Sequence, residues 1–140
     1  MKQRILFLCT GNSARSQMAE GVLRHLAGDR FEVFSAGTHP VGLNPDAVVT
    51  MEEAGIDISS HRSKSITEVL GQPFDYIITV CDRAKESCPI WPHASHVIHW
   101  SLEDPAAPVG SDEARRQIFN RVRNEITDRI HDFLLSVSSY

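Results

Sequence analysis

A cysteine and an arginine lie six residues apart near the start of the chain, where an apolar run gives way to a loop. Cys9 ends the run ILFL, and Arg15 follows the loop just before a sequence typical of a helix. A loop that curls into a helix N-terminus points successive backbone N–H groups into one concavity, which binds anions. The same field lowers the pKa of a thiol, and Arg15 offers two parallel donors to a tetrahedral oxyanion. We therefore predict a thiolate aimed at a phosphate-like ion, which is held by Thr10, Gly11, Asn12, Ser13, Ala14 and Arg15.

Two further cysteines, Cys81 and Cys88, lie seven residues apart after a second apolar run, YIITV. In a helix they would be about 10 Å apart along the axis, more than the roughly 4.4–6.8 Å between Cα atoms that a disulfide tolerates. A disulfide between them therefore requires the intervening polar segment to loop out. The alternative is that Cys81 is a core residue at a strand end and Cys88 has no role. A zinc site is disfavoured, because three cysteines without a Cys-x2-Cys pair do not match its spacing.

Strand-like and helix-like segments alternate along the chain and indicate how these side chains are positioned. The predicted strands are residues 4–9, 31–34, 76–80 and 96–100, and the predicted helices are residues 14–27, 45–53 and 112–136. Such alternation with buried strands is typical of an α/β fold with a parallel, doubly wound sheet. Functional sites in such folds lie beyond the carboxyl ends of the strands. Because Cys9, Ser35, Cys81 and Ser101 lie at those ends, we expect them to converge.

Apolar spacing predicts which faces of the first and last helices are buried. The predicted stripe of the first helix consists of Met18, Val22 and Leu26. The predicted stripe of the last helix consists of Ile118, Val122, Ile126, Ile130 and Leu134.

Length and composition limit the class of protein. The 140 residues are enough for one domain with a real core, and we expect a single domain over residues 1–140. A net charge of -4 argues against a nucleic-acid partner or an anionic membrane surface. No apolar stretch approaches the length of a membrane span, and the N-terminus lacks a signal-peptide pattern. Three cysteines cannot form a disulfide framework, so we expect a cytoplasmic, reducing environment.

The sequence around Cys9 resembles a known family. The spacing Cys-x5-Arg-Ser is the signature of the cysteine phosphatases, and CTGNSARSQMAEG is similar to their low-molecular-weight branch and, within it, to the arsenate reductases. The resemblance covers nearly the whole chain through SAGTHPVGLNPDAV, GIDIS, HWSLEDPA and RVRNEI. The three-cysteine pattern is its most specific part and resembles the thioredoxin-coupled arsenate reductases. It implies a low-molecular-weight-phosphatase-like, three-layer sandwich around a four-stranded parallel sheet.

The resemblance also implies a thiol relay for reducing arsenate to arsenite in arsenic detoxification. Cys9 would attack arsenic while the Ser16 hydroxyl donates a hydrogen bond to its sulfur. Cys81 would then attack the Cys9 sulfur of the adduct, releasing arsenite and leaving a Cys9–Cys81 disulfide. Cys88 would attack Cys81 and leave a Cys81–Cys88 disulfide for an external thiol donor. Thioredoxin is the implied reductant, with glutaredoxin or mycoredoxin as alternatives, and phosphate and sulfate are expected competitors of arsenate.

Expelling an oxygen from arsenic requires a proton, and Asp104 matches the family's general acid. Glu103 is the competing carboxylate. The alternative is that Asp104 is a solvated residue that caps a turn before Pro105.

Some relatives bind potassium beneath the loop through groups that match Asn12, Glu20 and Ser35, together with an aspartate. Lys64 stands at the position of that aspartate. We hypothesise that its ammonium replaces the ion and supports the loop, so that no metal or other cofactor is needed. The alternative is a surface lysine that points to water.

Two rival functions use the same loop. A low-molecular-weight protein-tyrosine phosphatase would use Cys9, Arg15 and Asp104, with water resolving the intermediate. Those phosphatases usually carry aromatic residues after the Asp-Pro pair, whereas this chain has the sequence AAP there. Weak phosphatase side activity is expected from a shared loop. The other rival is a binding module that senses an oxyanion or redox state, which an intact Asp104 and Ser16 disfavour.

Overall fold

Four parallel strands form one sheet in the computed structural model, which describes residues 2–81, 96–106 and 109–137. The strands are β1 (Gln3–Cys9), β2 (Phe31–Gly37), β3 (Tyr76–Thr79) and β4 (His96–His99), in the spatial order β2-β1-β3-β4. The order reverses at β1, because β2 lies on one side of it and β3 on the other. The predicted α/β fold with a four-stranded parallel sheet is confirmed, and Cys9 ends the strand at the switch point, where such folds place their sites.

Within the residues that the structure describes, three helices and one short turn of 3-10 helix accompany the sheet. The helices are α1 (Arg15–Ala27), α2 (Pro45–Glu53) and α3 (Asp112–Val137), and the 3-10 turn covers Ile66–Glu68. The start of α2 follows from its sequence: Asn44 caps it by accepting hydrogen bonds from the backbone N–H groups of Asp46 (2.7 Å) and Ala47 (3.3 Å). Pro45 takes the first helical position, where its missing N–H costs nothing.

Both faces of the sheet are covered, which explains why β1 is a continuous apolar run. Residues 5–8 are fully buried although their side chains alternate between the two faces. On one face, Phe133 of α3 packs its ring against the rings of Phe31 and Tyr76. On the other face, the ring of Phe74 packs edge-on against Phe34. β1 is therefore held in the centre of the molecule.

The predicted helix stripes are partly wrong. Leu26 is 40% exposed, whereas Leu23 is fully buried beside Met18 and Val22. In α3 the buried positions include Phe119 and Phe133 rather than Ile118 and Leu134, which are only partly buried. Steps of four residues drift around a helix that has 3.6 residues per turn, so a stripe extrapolated at i+4 leaves the core within two or three turns.

Within the described ranges, none of the helices combines the length and apolar character that crossing a membrane requires.

Candidate active site

A cavity of about 430 Å³ opens at the carboxyl ends of β1 and β3. Its lining residues are Cys9, Thr10, Gly11, Ser13, Ala14, Arg15, Val41, Cys81, Asp104 and Ala106. The structure therefore brings together the predicted nucleophile, the predicted guanidinium, the second cysteine and the predicted acid. Ser101, also expected to converge here, is exposed and lies outside the residues that line the cavity.

We call residues 9–15 the oxyanion loop. Carbonyl groups of this loop accept hydrogen bonds from the segment that follows β2. The N–H of Thr38 donates to the carbonyl of Cys9 (3.2 Å), and the N–H of His39 donates to that of Thr10 (2.8 Å). The N–H of Val41 donates to the carbonyl of Gly11 (3.0 Å), and that of Asn44 donates to the carbonyl of Ser13 (3.0 Å). Because the carbonyls are turned toward this segment, the loop can present its own N–H groups to an anion.

Asn12 holds the centre of the loop in the left-handed region, with φ of 46°. Its buried side chain donates from Nδ2 to Ser16 Oγ (2.9 Å). The amide nitrogen of Gln17 donates to both the backbone oxygen (3.1 Å) and the side-chain oxygen (3.0 Å) of Asn12. The backbone N–H of Lys64 donates to the same side-chain oxygen (2.8 Å). These bonds compensate for a backbone conformation that non-glycine residues rarely adopt.

The carboxylate of Glu20 is buried beneath the oxyanion loop. Ser35 donates a hydrogen bond to its Oε1, and Arg24 donates to its Oε2 at 2.6 Å. Lys64 places its ammonium nitrogen 4.0 Å from Oε1. Burial lowers the pKa of Lys64, while the Glu20 carboxylate acts to raise it. The predicted supporting residues Asn12, Glu20, Ser35 and Lys64 therefore form one connected group.

The side chains of Cys9 and Cys81 both line this cavity, and the Thr10 hydroxyl lies 3.3 Å from Cys81 Sγ. The neighbouring Cys81 thiol, as a hydrogen-bonding group, and burial raise the pKa of the Cys9 thiol, whereas the Arg15 charge and the Gly11 N–H lower it. The net direction is upward. The predicted lowering of the Cys9 pKa is therefore wrong for this arrangement, because a buried second thiol outweighs the field of the loop.

The segment that carries Asp104 is fixed from two sides. Arg15 donates a hydrogen bond to the carbonyl of Leu102 at 3.0 Å. Nη2 of Arg121, in α3, donates to both carboxylate oxygens of Glu103 at 2.6 and 2.9 Å. Asp104 accepts the N–H of Ala106 through Oδ1 at 3.0 Å and lines the cavity. Of the two competing carboxylates, Glu103 is paired with α3 and Asp104 faces the site.

The predicted roles of Ser16 and Cys88 stay predictions. Ser16 is fully buried and accepts from Asn12, and its donation to the Cys9 sulfur stays a prediction. Cys88 lies outside the described residues.

The structure adds three residues that the sequence did not single out. The side-chain oxygen of Gln17 lies 3.1 Å from His61 Nδ1, and Arg24 lies 3.1 Å from His61 Nε2. Gln17 and Arg24 belong to the same helix as the predicted residues, but only the fold reveals that their polar groups point toward the loop support. No local pattern connects His61 to them.

Comparison with known proteins assigns the class. The model of the low molecular weight phosphotyrosine protein phosphatase family matches residues 4–139, and the chain belongs to this family. Within it, an arsenate reductase of Halalkalibacterium halodurans is 47% identical over 132 residues, or 94% of this chain and 95% of the relative.

Solved structures agree. An arsenate reductase in the phosphate binding state has a TM-score of 0.78 and 30% identity, over 96% of this chain and 98% of the other. The thioredoxin-dependent arsenate reductase of Corynebacterium glutamicum has a TM-score of 0.71 and 31% identity, over 96% of this chain and 63% of the other.

Proposed function

We propose that this protein reduces arsenate to arsenite through the three thiols Cys9, Cys81 and Cys88. The observation that carries the proposal is that Cys81 lines the same cavity as Cys9, near enough to raise the pKa of the Cys9 thiol. A phosphatase has no use for a second thiol there, whereas a reductase needs one within reach of the first. The arsenate reductases among the similar proteins support the same substrate.

In the first step the Cys9 thiolate attacks arsenic. The N–H groups of the loop and the Arg15 guanidinium hold the oxyanion, and Asp104 gives its proton to the oxygen that leaves as water. A proton must leave Cys9 before it attacks, because its pKa is raised in the resting arrangement. The Ser16 hydroxyl is proposed to stabilise the thiolate once it forms.

In the second step Cys81 attacks the sulfur of Cys9. The sulfur–sulfur bond forms as the sulfur–arsenic bond breaks, and its electron pair stays on arsenic, which leaves as arsenite. Cys88 then attacks Cys81, freeing the Cys9 thiolate and leaving the Cys81–Cys88 disulfide. Two electrons thus pass from the thiols to arsenic in each turnover.

An external dithiol must reduce that disulfide. We propose thioredoxin, which is supported by the thioredoxin dependence of the similar Corynebacterium glutamicum protein. The relay requires thiols that stay reduced between turnovers, and a cytoplasmic location would provide this.

Disulfide mapping tests the relay. Reduced protein is incubated with arsenate and no other reductant, and the disulfides are then located by mass spectrometry. Wild type should form Cys81–Cys88 with one arsenite per chain, and Cys88→Ser should trap Cys9–Cys81. Cys81→Ser is the matched control and should form neither. Arsenite that accumulates while Cys81 stays a thiol in both active proteins would refute the relay.

We propose a weak phosphatase activity as a second function of the same cavity. Its volume of about 430 Å³ leaves room for an organic group on a bound phosphate, and the chain belongs to a phosphatase family. Water would then resolve the Cys9 intermediate, so Cys81→Ser should keep aryl phosphatase activity while losing arsenate reduction. Loss of both activities in Cys81→Ser would contradict this assignment.

We also propose that Lys64 takes the place of a potassium ion beneath the loop. The Lys64 ammonium lies 4.0 Å from Glu20, and the backbone N–H of Lys64 donates a hydrogen bond to the Asn12 side chain. A potassium ion at Glu20 would meet this positive charge and that of Arg24, so the residues present do not fit the ion.

A further inference from the structure

The ion pair between Glu103 and Arg121 joins the segment that carries Asp104 to the long helix α3. One nitrogen of Arg121, Nη2, donates to both carboxylate oxygens of Glu103 at 2.6 and 2.9 Å, and these charge-assisted hydrogen bonds hold the carboxylate in place. Both side chains are exposed, 62% for Arg121 and 49% for Glu103. An ion pair so open to water contributes little to folding stability.

The Glu103–Arg121 pair lies next to the predicted general acid in the chain. Glu103 directly precedes Asp104, and the carbonyl before it, on Leu102, is bound by Arg15 of the oxyanion loop. The backbone around the acid is thus held from the loop on one side and from α3 on the other. Asp104 itself is exposed, and its Oδ1 accepts the N–H of Ala106. Among the described residues, loss of the pair would leave the bond from Arg15 to the Leu102 carbonyl as the hydrogen bond that joins this backbone to the loop.

We propose that Arg121 is a positioning residue for the general acid. Through Glu103 it holds the Asp104 carboxyl at the cavity, where the proton is delivered to the oxygen leaving arsenic as water. This inference rests on the proposed function, since it assumes that Asp104 is the acid.

Single-turnover arsenite formation at saturating arsenate tests the proposal. Asp104→Asn should slow this rate by about 100-fold or more, the usual contribution of a general acid. Arg121→Gln and Glu103→Gln should each slow it by roughly tenfold, because a small misplacement of a reacting group is costly. The arsenate concentration at half-maximal rate should not change. The double variant should be no slower than either single variant, since both remove the same pair.

A control uses a second exposed arginine–glutamate pair. Two nitrogens of Arg62 donate to the two oxygens of Glu68 at 3.0 and 2.7 Å, and neither residue is among those that line the cavity. Glu68→Gln breaks that pair and should leave the rate at the wild-type value.

The Asp104→Asn background separates positioning from a general structural effect. If Arg121 acts through Asp104, adding Arg121→Gln to Asp104→Asn should not slow the reaction further. An equal tenfold loss in both backgrounds, or a wild-type rate in Arg121→Gln, would overturn the proposal. A wild-type rate in Asp104→Asn would instead refute the acid role in the proposed function.

Discussion

Cys9 and Cys81 line one cavity, although Cys9 ends β1 and Cys81 lies two residues beyond the end of β3. β1 and β3 are neighbours, and Leu8 pairs with Thr79, so the two chain segments leave the sheet side by side. The Cys81 thiol therefore lies near the Cys9 thiol, where it raises the pKa that the proposed attack on arsenic needs lowered.

Removing the second thiol should make the first more reactive. In Cys81→Ala the main cause of the raised Cys9 pKa is gone, so iodoacetamide should alkylate Cys9 faster at neutral pH than in wild type. Cys81→Ser keeps a hydrogen-bonding group and should show a smaller increase. The measurement is the alkylation rate of the Cys9 peptide by mass spectrometry, and equal rates in the three proteins would contradict the assignment.

The Thr10 hydroxyl should assist Cys81 as an attacking thiolate. It lies 3.3 Å from Cys81 Sγ and can donate to the charged sulfur. Thr10→Val keeps the shape and the backbone N–H, so phosphate affinity should be unchanged while Cys9–Cys81 formation slows roughly tenfold, the value of a charged hydrogen bond. Thr10→Ser, measured by the same rapid quench in a Cys88→Ser background, should retain the wild-type rate. A slow Thr10→Ser variant would assign the effect to packing.

Gly37 should tolerate no side chain. A Cβ there would lie 2.6 Å from the carbonyl oxygen of Thr10 and 2.9 Å from the backbone nitrogen of Asn12, so the oxyanion loop would have to move. Gly37→Ala should lower the free energy of unfolding by about 1–3 kcal/mol and weaken phosphate binding. Gly110→Ala, which meets no atom within 4 Å, is the control. Urea unfolding and calorimetric titration measure the two effects.

We expect His61 to make the free energy of unfolding depend on pH in the acidic range. Gln17 Oε1 only accepts and Arg24 only donates, so the neutral ring with its proton on Nδ1 satisfies both contacts. Burial, with the charges of Arg24 and Lys64, lowers the pKa of His61 below 6.5, against opposing effects of Glu20 and Asp57.

The sign follows from proton binding. Between the lowered folded pKa and 6.5 the unfolded chain binds the extra proton, so the free energy of unfolding should fall as pH drops through this window. His61→Gln should flatten that part of a urea-denaturation profile relative to wild type. Superimposable slopes below pH 6.5 would contradict the role of His61.

Lys64 should set the response to potassium. Wild-type rates should be equal in sodium and potassium buffers, because the ammonium already faces Glu20. Lys64→Asp should be slower in sodium and recover in potassium. Lys2→Asp makes the same charge change at a lysine bound to the Gly28 carbonyl and should respond to neither ion. Strong activation of wild type by potassium would refute the replacement.

Part of the site could be predicted because it is local. Cys9, the loop and Arg15 follow one another through a strand, a turn and the start of a helix, and the backbone geometry of that unit places thiol and guanidinium around one concavity. The order of strands and helices was predictable for the same reason, since apolar periodicity reports on each element alone. The buried faces of the helices were less predictable, because the elements that pack against a helix decide which of its apolar residues are buried. In α1 this is Leu23 and not Leu26.

The local sequence was therefore enough to predict a thiol and a loop suited to anions at the end of a central strand. Packing between distant segments brings Cys81 into the cavity of Cys9, pairs Glu103 with α3 while Asp104 faces the cavity, and links Gln17 and His61 to Asn12. These contacts join segments far apart in the chain, and their distances depend on how the helices and loops pack on the sheet. That packing sums many weak interactions over the whole molecule, and no local pattern of residues records the result.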